Sequence, residues 1–558
     1  MLRKIFSGFH SDHDGNNQGF DVTMNSYANS RRTVPDMQSR PLLKSNYLGI
    51  FKKRSGFRMQ LMLLVLLVLL FCIIVTSVNV YQLSLIQGDG YLRVPPEGKV
   101  DSYNNKPVVW INGKRLSSGY LQHVFNVFER LGYTHVTGDD QMMWDVLWAH
   151  DYPFTSLKSQ LTKLKPHQKV NHFPGSGYLT NKLNLVSTST QLQFIPRAFQ
   201  IPKDKKIFLQ YAELNPDKRF VQKSSNHRGV IIRGVHELDL SKQGTFIQEF
   251  VDSPYLIDGR RFDIGIYTTI TSINPLRLYI FEGDWLIRFC PEEFYPFDEK
   301  VVHKYVVTDS YMPVWKVPSL KKYYDDLGFT RKEALFAHLI DEGHDPKQLS
   351  QRLQEAIRTT VLKKEPNLMR AASNYKSFKN FFELVRFDFV LDNKLNVYLM
   401  EVNMSPNLSS DHFALNRLLY EQVIFSMLSL VGIAKSTDYN YIQGTSQERE
   451  MQVSSRDVHT FVSLCASSKC LDNCRAMECK LCEDCLKADQ VDTLESSYLE
   501  HMNRLTWRRI VPKPFVSQET ARTWLRDQDE YFLKLSPANQ WMAVWFHGKC
   551  LSDPTWCM

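Results

Sequence analysis

Two apolar stretches joined by a short polar turn restrict most strongly how this chain can fold. Between Arg386 and Ser410 it reads RFDFVLDNKLNVYLMEVNMSPNLSS, with Asp388 in the first stretch and Glu401 in the second. Because an isolated carboxylate is costly to bury, an acid inside an apolar strand usually has a partner. Adjacent strands around the Asp-Asn-Lys-Leu turn would place both acids side by side. The sequence therefore predicts a β-hairpin with two carboxylates on one face.

The same face should carry Asn403, two residues beyond Glu401. Two carboxylates and an amide oxygen are hard ligands that suit Mg²⁺, which water and substrate phosphates usually complete. The alternative is a pair of acids that form salt bridges with nearby Arg or Lys residues. This stretch alone leaves both interpretations open.

An apolar run near the N-terminus, Leu61–Val78, contains no charged residue and is long enough to span a bilayer. It is too long, and follows too many polar residues, for a signal peptide. The basic residues just before it are Lys44, Lys52, Lys53, Arg54 and Arg58. The positive-inside rule then predicts a single-pass membrane protein with a cytosolic N-terminus. The same rule would place the rest of the chain across the membrane, whereas the scarcity of glycosylation sequons after the run, with matches only at Asn403 and Asn407, points to the cytosol, so its side stays open.

The composition shifts along the chain predict five regions. They are a disordered tail (1–58), a transmembrane helix (59–78), a stalk (79–105), a folded body (106–435) and a Cys-rich C-terminal region (436–558). The body alternates strand-like runs such as DIGIYTTITSI with helical ones such as LQHVFNVFERLG. That mixture predicts an α+β fold.

Eight of the ten cysteines lie in the C-terminal region: Cys465, Cys470, Cys474, Cys479, Cys482, Cys485, Cys550 and Cys557. An even set of this kind favours disulfides on an oxidising side of the membrane, whereas closely spaced thiolates could hold zinc in a reducing compartment. We expect disulfides.

The net charge of +9 is mild for 558 residues. Such basicity describes many solvated surfaces as well as proteins with acidic partners. The sequence contains no RRM, zinc-finger or helix-turn-helix signature, so we expect no nucleic-acid partner.

The segment FVQKSSNHRGVIIR, Phe220 to Arg233, indicates a strand, a polar loop and a second strand. A lysine such as Lys223 at the end of a strand can neutralise phosphate oxygens, and the N–H groups of the loop can cradle them. An ordinary hairpin is the alternative.

Several motifs follow one another along the chain: WDVLW, VNHFPGSGYLTNKLNL, FIP, the VQK loop, IQEFVDSPYLIDGRRFD, FELVRFDFVLD and MEVNMSPNLS. Their order resembles the tubulin–tyrosine ligase-like family, whose catalytic fold is of the ATP-grasp type. They span roughly residues 106–435. The apolar run and the Cys-rich region resemble the divergent branch of tubulin polyglutamylases. An ATP-grasp-type ligase body is implied.

The resemblance assigns roles to individual residues. It implies that Asp388, Glu401 and Asn403 bind Mg²⁺, and that Lys223 and Lys182 bind the phosphates of ATP. The other nucleotide-binding residues it implies are Arg228, Gly229, Gln248, Glu249, Phe250, Val251, Arg261 and Asp263. Arg288 corresponds to an arginine that binds the carboxylate of the amino-acid substrate. The catalytic residues would be Lys182, Arg261 and Arg288.

Ligases of this kind phosphorylate a carboxylate, and an amine then attacks the acyl phosphate. The implied reaction is ATP-dependent addition of an amino acid, free glutamate or glycine, to Glu side chains in the acidic tails of tubulin or microtubules. We expect glutamate. The membrane helix would anchor the enzyme.

The chain departs from the family at Gly265, where relatives usually have an arginine. The loop SSNHRG is also short, and Asp309 replaces an asparagine. If the enzyme is active, another cation must replace the arginine, because phosphoryl transfer depends on neutralising charge. We expect Arg260 or Arg277 beside Gly265. Two alternatives remain: an inactive nucleotide-binding relative that serves as a binding module, and a lumenal ligase with a non-tubulin acidic substrate.

Overall fold

The computed structural model describes residues 66–77, 106–137, 143–224, 230–434, 451–471, 473–524 and 530–558. The chain divides into two compact units, Met1–Val100 and Asp101–Met558. The predicted tail (1–58) and stalk (79–105) lie outside the described residues, as do Arg228 and Gly229.

The prediction of a transmembrane helix is wrong. In the first unit the residues that the structure describes, 66–77, are helical. None of the helices in the described ranges is long and apolar enough to cross a membrane. This finding overturns the predicted membrane anchor and the single-pass placement.

Two four-stranded sheets belong to the second unit. The first is parallel, in the order β2-β1-β3-β4, from β1 (Val108–Asn112), β2 (Thr134–Val136), β3 (Val146–Ala149) and β4 (Lys169–Val170). The second is antiparallel, in the order β5-β8-β6-β7, from β5 (Ala198–Ile201), β6 (Phe220–Ser224), β7 (Val230–Arg233) and β8 (Thr245–Glu249).

The third sheet has seven strands: β9 (Phe262–Ile273), β10 (Leu276–Phe281), β11 (Leu286–Phe289), β12 (Met312–Pro313), β13 (Glu383–Leu391), β14 (Val397–Met404) and β15 (Trp507–Val511). The long strand β9 pairs with β13 along one edge, and with β11 and then β10 along the other. Every residue of β9 and β13 is buried. β-Branched and aromatic side chains suit such strands, since both faces must be packed.

Helices cover this sheet. Among the described residues of the second unit, the structure has the α-helices Gln122–Arg130, Pro153–Ser156, Lys158–Leu161, Gly177–Thr180, Lys182–Val186, Lys205–Leu214, Pro318–Lys321, Arg331–Asp341, Pro346–Ala372, Arg417–Leu430, Ser455–Val458, Val462–Cys465, Ala488–Met502, Gln518–Trp524, Glu530–Leu533 and Pro537–Ser552. On one face, Ile357 of the helix Pro346–Ala372 shares a core with Ile266. On the other face, Ile424 shares a core with Tyr267. The predicted mixture of helices and strands is confirmed.

The C-terminal region joins this sheet, because β15 pairs with β10. Its eight cysteines form four disulfides, Cys465–Cys482, Cys470–Cys479, Cys474–Cys485 and Cys550–Cys557, with Cα separations of 4.5–5.7 Å. The predicted disulfides are confirmed. The two unpaired cysteines are Cys72 and Cys290.

Candidate active site

The predicted hairpin is formed by β13 and β14, and a β-bulge sets its register. From the turn to Phe389, which lies opposite Leu399, the strands pair residue for residue. The register then shifts, so that Asp388 lies opposite Glu401 and Met400 is the extra residue. In an unshifted register Glu401 would point to the other side of the sheet, because side chains alternate along a strand. The bulge therefore puts both carboxylates on one face.

The carboxylate of Asp388 is surrounded by nitrogen donors. Arg386 donates from Nε to Oδ1 at 2.6 Å and from Nη2 to Oδ2 at 2.8 Å. Oδ2 also accepts hydrogen bonds from Arg288 Nη2 and Asn403 Nδ2, both at 2.9 Å. Asp388 is 2% exposed and Arg386 is 4% exposed. Two guanidinium groups thus neutralise a buried acid, as one of the two interpretations of the hairpin predicted.

Glu401 belongs to a second cluster that includes both predicted phosphate lysines. Lys182 Nζ lies 3.0 Å from Glu401 Oε2, and Lys223 Nζ donates to Gln248 Oε1 at 2.8 Å. Burial alone would raise the pKa of Glu401, but the charge and hydrogen bond of Lys182 outweigh it and lower that pKa to about 2. Burial, then the charge of Lys182, lowers the pKa of Lys223 to about 8, although Glu401 opposes the shift. The two lysines and the acid therefore share one cleft.

Only part of the predicted ligand set suits Mg²⁺ directly. Asn403 Nδ2 lies 2.9 Å from Asp388 Oδ2 and 3.2 Å from Glu401 Oε1, so a half-turn of the amide would aim its oxygen at the same point. Glu401 and this oxygen, completed by water and phosphate, would suit a magnesium ion. The oxygens of Asp388 differ, because each already accepts hydrogen bonds from guanidinium N–H groups.

Arg261 and Arg288 extend the positive charge of the cleft. Arg261 is 4% exposed, its guanidinium carbon lies 5.0 Å from the centroid of the Phe250 ring, and Nη1 has no hydrogen-bond partner in the described part of the chain. Arg288 grips Asp263 with Nε at 2.9 Å and Nη2 at 2.7 Å. An unpartnered buried N–H group is costly, so Arg261 is suited to receive an anionic ligand.

The predicted nucleotide-binding residues Gln248, Glu249, Phe250 and Val251 lie at the end of β8 and in the loop after it. Phe250 and Val251 are buried. The backbone N–H of Phe250 donates to the carbonyl oxygen of Arg219 at 2.9 Å, and that of Glu249 to the carbonyl oxygen of Arg197 at 2.8 Å. These two amides are therefore used within the protein.

The residue beside Gly265 is Arg386, and neither arginine predicted for this position supplies the charge. Arg277 is paired with Glu500, at 2.8 Å and 2.9 Å, and Arg260 donates to the carbonyl oxygen of Pro291 at 2.5 Å. The sequence could have indicated that Arg386 lies beside Asp388, because it precedes Asp388 by two residues in the same strand. Alternate residues of a strand share a face.

Comparisons with known proteins define the class. The chain matches the tubulin-tyrosine ligase family over residues 159–439, and it belongs to that family, as the motifs predicted.

Three individual proteins show in more detail what the chain is similar to. The chain is 39% identical over 465 residues to the "Probable tubulin polyglutamylase ttll-15" of Caenorhabditis elegans, which covers 81% of this chain and 87% of the relative. It is 27% identical over 306 residues to the human "Tubulin monoglutamylase TTLL4", covering 52% of this chain and 25% of that protein. For "Tubulin polyglutamylase ttll6" of Danio rerio the identity is 25% over 347 residues, covering 58% and 42%. The chain thus spans most of the first relative and less than half of the other two.

Proposed function

We propose that this protein is an ATP-dependent ligase that adds glutamate to Glu side chains of tubulin tails through an acyl phosphate. The observation that carries the proposal is the convergence of Lys182 and Lys223 on Glu401, beside Asn403, in one cleft. Lysines and carboxylates in this arrangement suit a nucleoside triphosphate with its magnesium ion. The similarity to proteins named tubulin polyglutamylases supports the substrate.

Each side chain of the cleft has a role in this proposal. Lys182, Lys223 and Arg261 bind phosphate oxygens, and catalysis of phosphoryl transfer is mostly such positioning and charge neutralisation. Glu401 and Asn403 would hold Mg²⁺, which, when bound, neutralises phosphate charge. Asp263 and Asp388 fix the guanidinium of Arg288. None of these bonds uses its Nη1, which we assign to the carboxylate of the incoming amino acid.

The test is transfer of radiolabelled glutamate to tubulin by the purified full-length chain, with ATP and Mg²⁺. We expect label on the tubulin tails that is lost without ATP and is lower with glycine as donor. Binding of ATP without transfer of either amino acid would favour the inactive, binding-module alternative.

The four disulfides favour a second candidate, a ligase whose acidic acceptor is not tubulin. Disulfides form and persist in oxidising compartments, whereas tubulin is cytosolic. Transfer of glutamate to glutamate-rich peptides but not to tubulin, by protein with intact disulfides, would support this candidate over the first.

Replacing Lys223 by Met should weaken ATP binding by at least about tenfold, because a phosphate loses a charge-assisted hydrogen bond.

Binding of ATP to the wild-type protein should also be accompanied by uptake of protons. The pKa of Lys223 is about 8 without nucleotide, and a neighbouring phosphate raises it, so about half a proton should be bound per nucleotide at pH 8. At pH 6.5 the lysine is already charged, and this uptake should vanish. Calorimetry in two buffers with different ionisation enthalpies measures it.

Lys242, which is exposed, provides the matched control. Lys242→Met should leave both affinity and proton uptake unchanged. Equal uptake at pH 8 by wild type and Lys223→Met would show that another group titrates.

A further inference from the structure

Gly265 and Arg386 are packed against each other across two neighbouring strands. Gly265 lies opposite Asp388 in the pairing of β9 with β13, and Tyr267 lies opposite Arg386. A Cβ atom on Gly265 would lie 2.8 Å from Arg386 Cδ, 3.1 Å from its Nε and 3.2 Å from Asp388 Oδ1. The first distance is shorter than real Cβ atoms accept. The side chain of Arg386 therefore lies where a larger residue at position 265 would place its own.

Glycine is needed at position 265 because it has no side chain, and not because of its backbone conformation. Gly265 lies within the regular strand β9, where any residue could adopt the backbone conformation. The missing side chain lets the guanidinium of Arg386 lie against Asp388 with both of its bonds in place, at 2.6 Å and 2.8 Å. Two parallel hydrogen bonds of this kind fix the position as well as the charge of a carboxylate.

Hydrogen bonds connect this pair to the groups that face the ligand. Asp388 accepts from Arg288 and from Asn403, and Asn403 also contacts Glu401. Glu401 in turn pairs with Lys182. A shift of Arg386 would release Asp388 and redirect each of these side chains.

We propose that Arg386 is a positioning residue for the anionic ligands of the cleft, and that glycine at position 265 leaves room for the side chain of Arg386. By neutralising Asp388, Arg386 removes a negative charge that would repel phosphates, and it holds Asp388 where Arg288 and Asn403 donate to it. The assignment rests on the proposed function, since it assumes that a nucleotide binds in this cleft.

Substitutions on both strands test the proposal, with ATP affinity measured by equilibrium dialysis. Gly265→Ala adds only the Cβ, and we expect a loss of affinity of about tenfold or more, or about 1.4 kcal/mol. Arg386→Ala should lose at least as much, and Gly265→Ala should then cost less than about twofold further, because the atom it displaces is gone. Arg386→Lys, which keeps the charge, should lose less than Arg386→Ala.

The exchange of the two residues is the decisive variant. An arginine at position 265 starts from a Cβ only 3.2 Å from Asp388 Oδ1, so Gly265→Arg combined with Arg386→Gly should restore affinity to within about threefold of wild type. Glu500→Ala, which breaks a buried ion pair outside the cleft, is the control. It should lower the melting temperature and leave ATP affinity unchanged.

Two outcomes separate this inference from the proposed function. If wild type binds ATP and transfers glutamate, and folded Gly265→Ala and Arg386→Lys bind ATP as wild type does, the role of Arg386 is overturned and the function stands. If wild type neither binds ATP nor transfers glutamate, the proposed function fails and the inference fails with it. If Glu500→Ala loses as much ATP affinity as Arg386→Ala, the effect of Arg386 is explained by a general loss of stability and not by positioning.

Discussion

Replacing Glu401 by Gln is expected to lower the rate of glutamate transfer by about 10²–10³-fold. The substitution keeps the shape of the side chain and removes its charge. It would therefore take away the carboxylate proposed to hold Mg²⁺ and release Lys182 from its 3.0 Å ion pair. The substitution should cost some stability, because the ion pair lowers the pKa of Glu401 to about 2, but the protein should still fold, since both side chains are more than one-fifth exposed and water can solvate Lys182.

Initial rates at saturating ATP, over a range of Mg²⁺ concentrations, measure this effect. Wild type should saturate with Mg²⁺ at a lower concentration than Glu401→Gln. Glu213, which is exposed on the helix Lys205–Leu214, gives the control substitution Glu213→Gln, with no change expected. If Glu401→Gln transfers glutamate at the wild-type rate, Glu401 does not bind the metal ion.

The hairpin shows how far the sequence could predict the site. The apolar runs, the turn and the two acids were enough to predict the paired strands. They did not predict the bulge at Met400, because the run from Val397 to Val402 is apolar at every position except Glu401 and so shows no alternation that fixes the register, although only Val397, Leu399 and Val402 of it are buried. The predicted shared face was therefore correct, although it depends on a feature that the pattern does not contain.

Long-range contacts explain what the sequence did not predict. Arg386 lies on the same strand as Asp388, but its fit over Gly265 depends on β9, more than a hundred residues earlier in the chain. The pairing of β15 with β10 is likewise not local. For the apolar run near the N-terminus, composition predicted a membrane span, and none of the helices in the described part of the chain could form one. Periodicity reports which residues are buried, and it says little about which strands or helices meet.

Replacing Glu500 by Ala is expected to lower the free energy of unfolding by about 3–5 kcal/mol, the usual cost of breaking a buried ion pair. Glu500 lies on the helix Ala488–Met502 and accepts two hydrogen bonds from Arg277, together with those of Thr271 Oγ1 at 2.9 Å and Tyr279 at 3.3 Å. Arg277 is 5% exposed. Removing the carboxylate would leave a buried charge and two hydroxyl groups without an acceptor.

Unfolding in urea, followed by tryptophan fluorescence and circular dichroism, measures the loss. Glu519→Ala on the exposed face of the helix Gln518–Trp524 should change stability by less than about 0.5 kcal/mol. The double variant Arg277→Met/Glu500→Leu should recover most of the loss, because apolar residues of similar volume replace a buried ion pair at little cost. If the single variant is as stable as wild type, the helix Ala488–Met502 does not depend on this ion pair for its attachment to the central sheet. The C-terminal region would then be held by β15 and its apolar contacts alone.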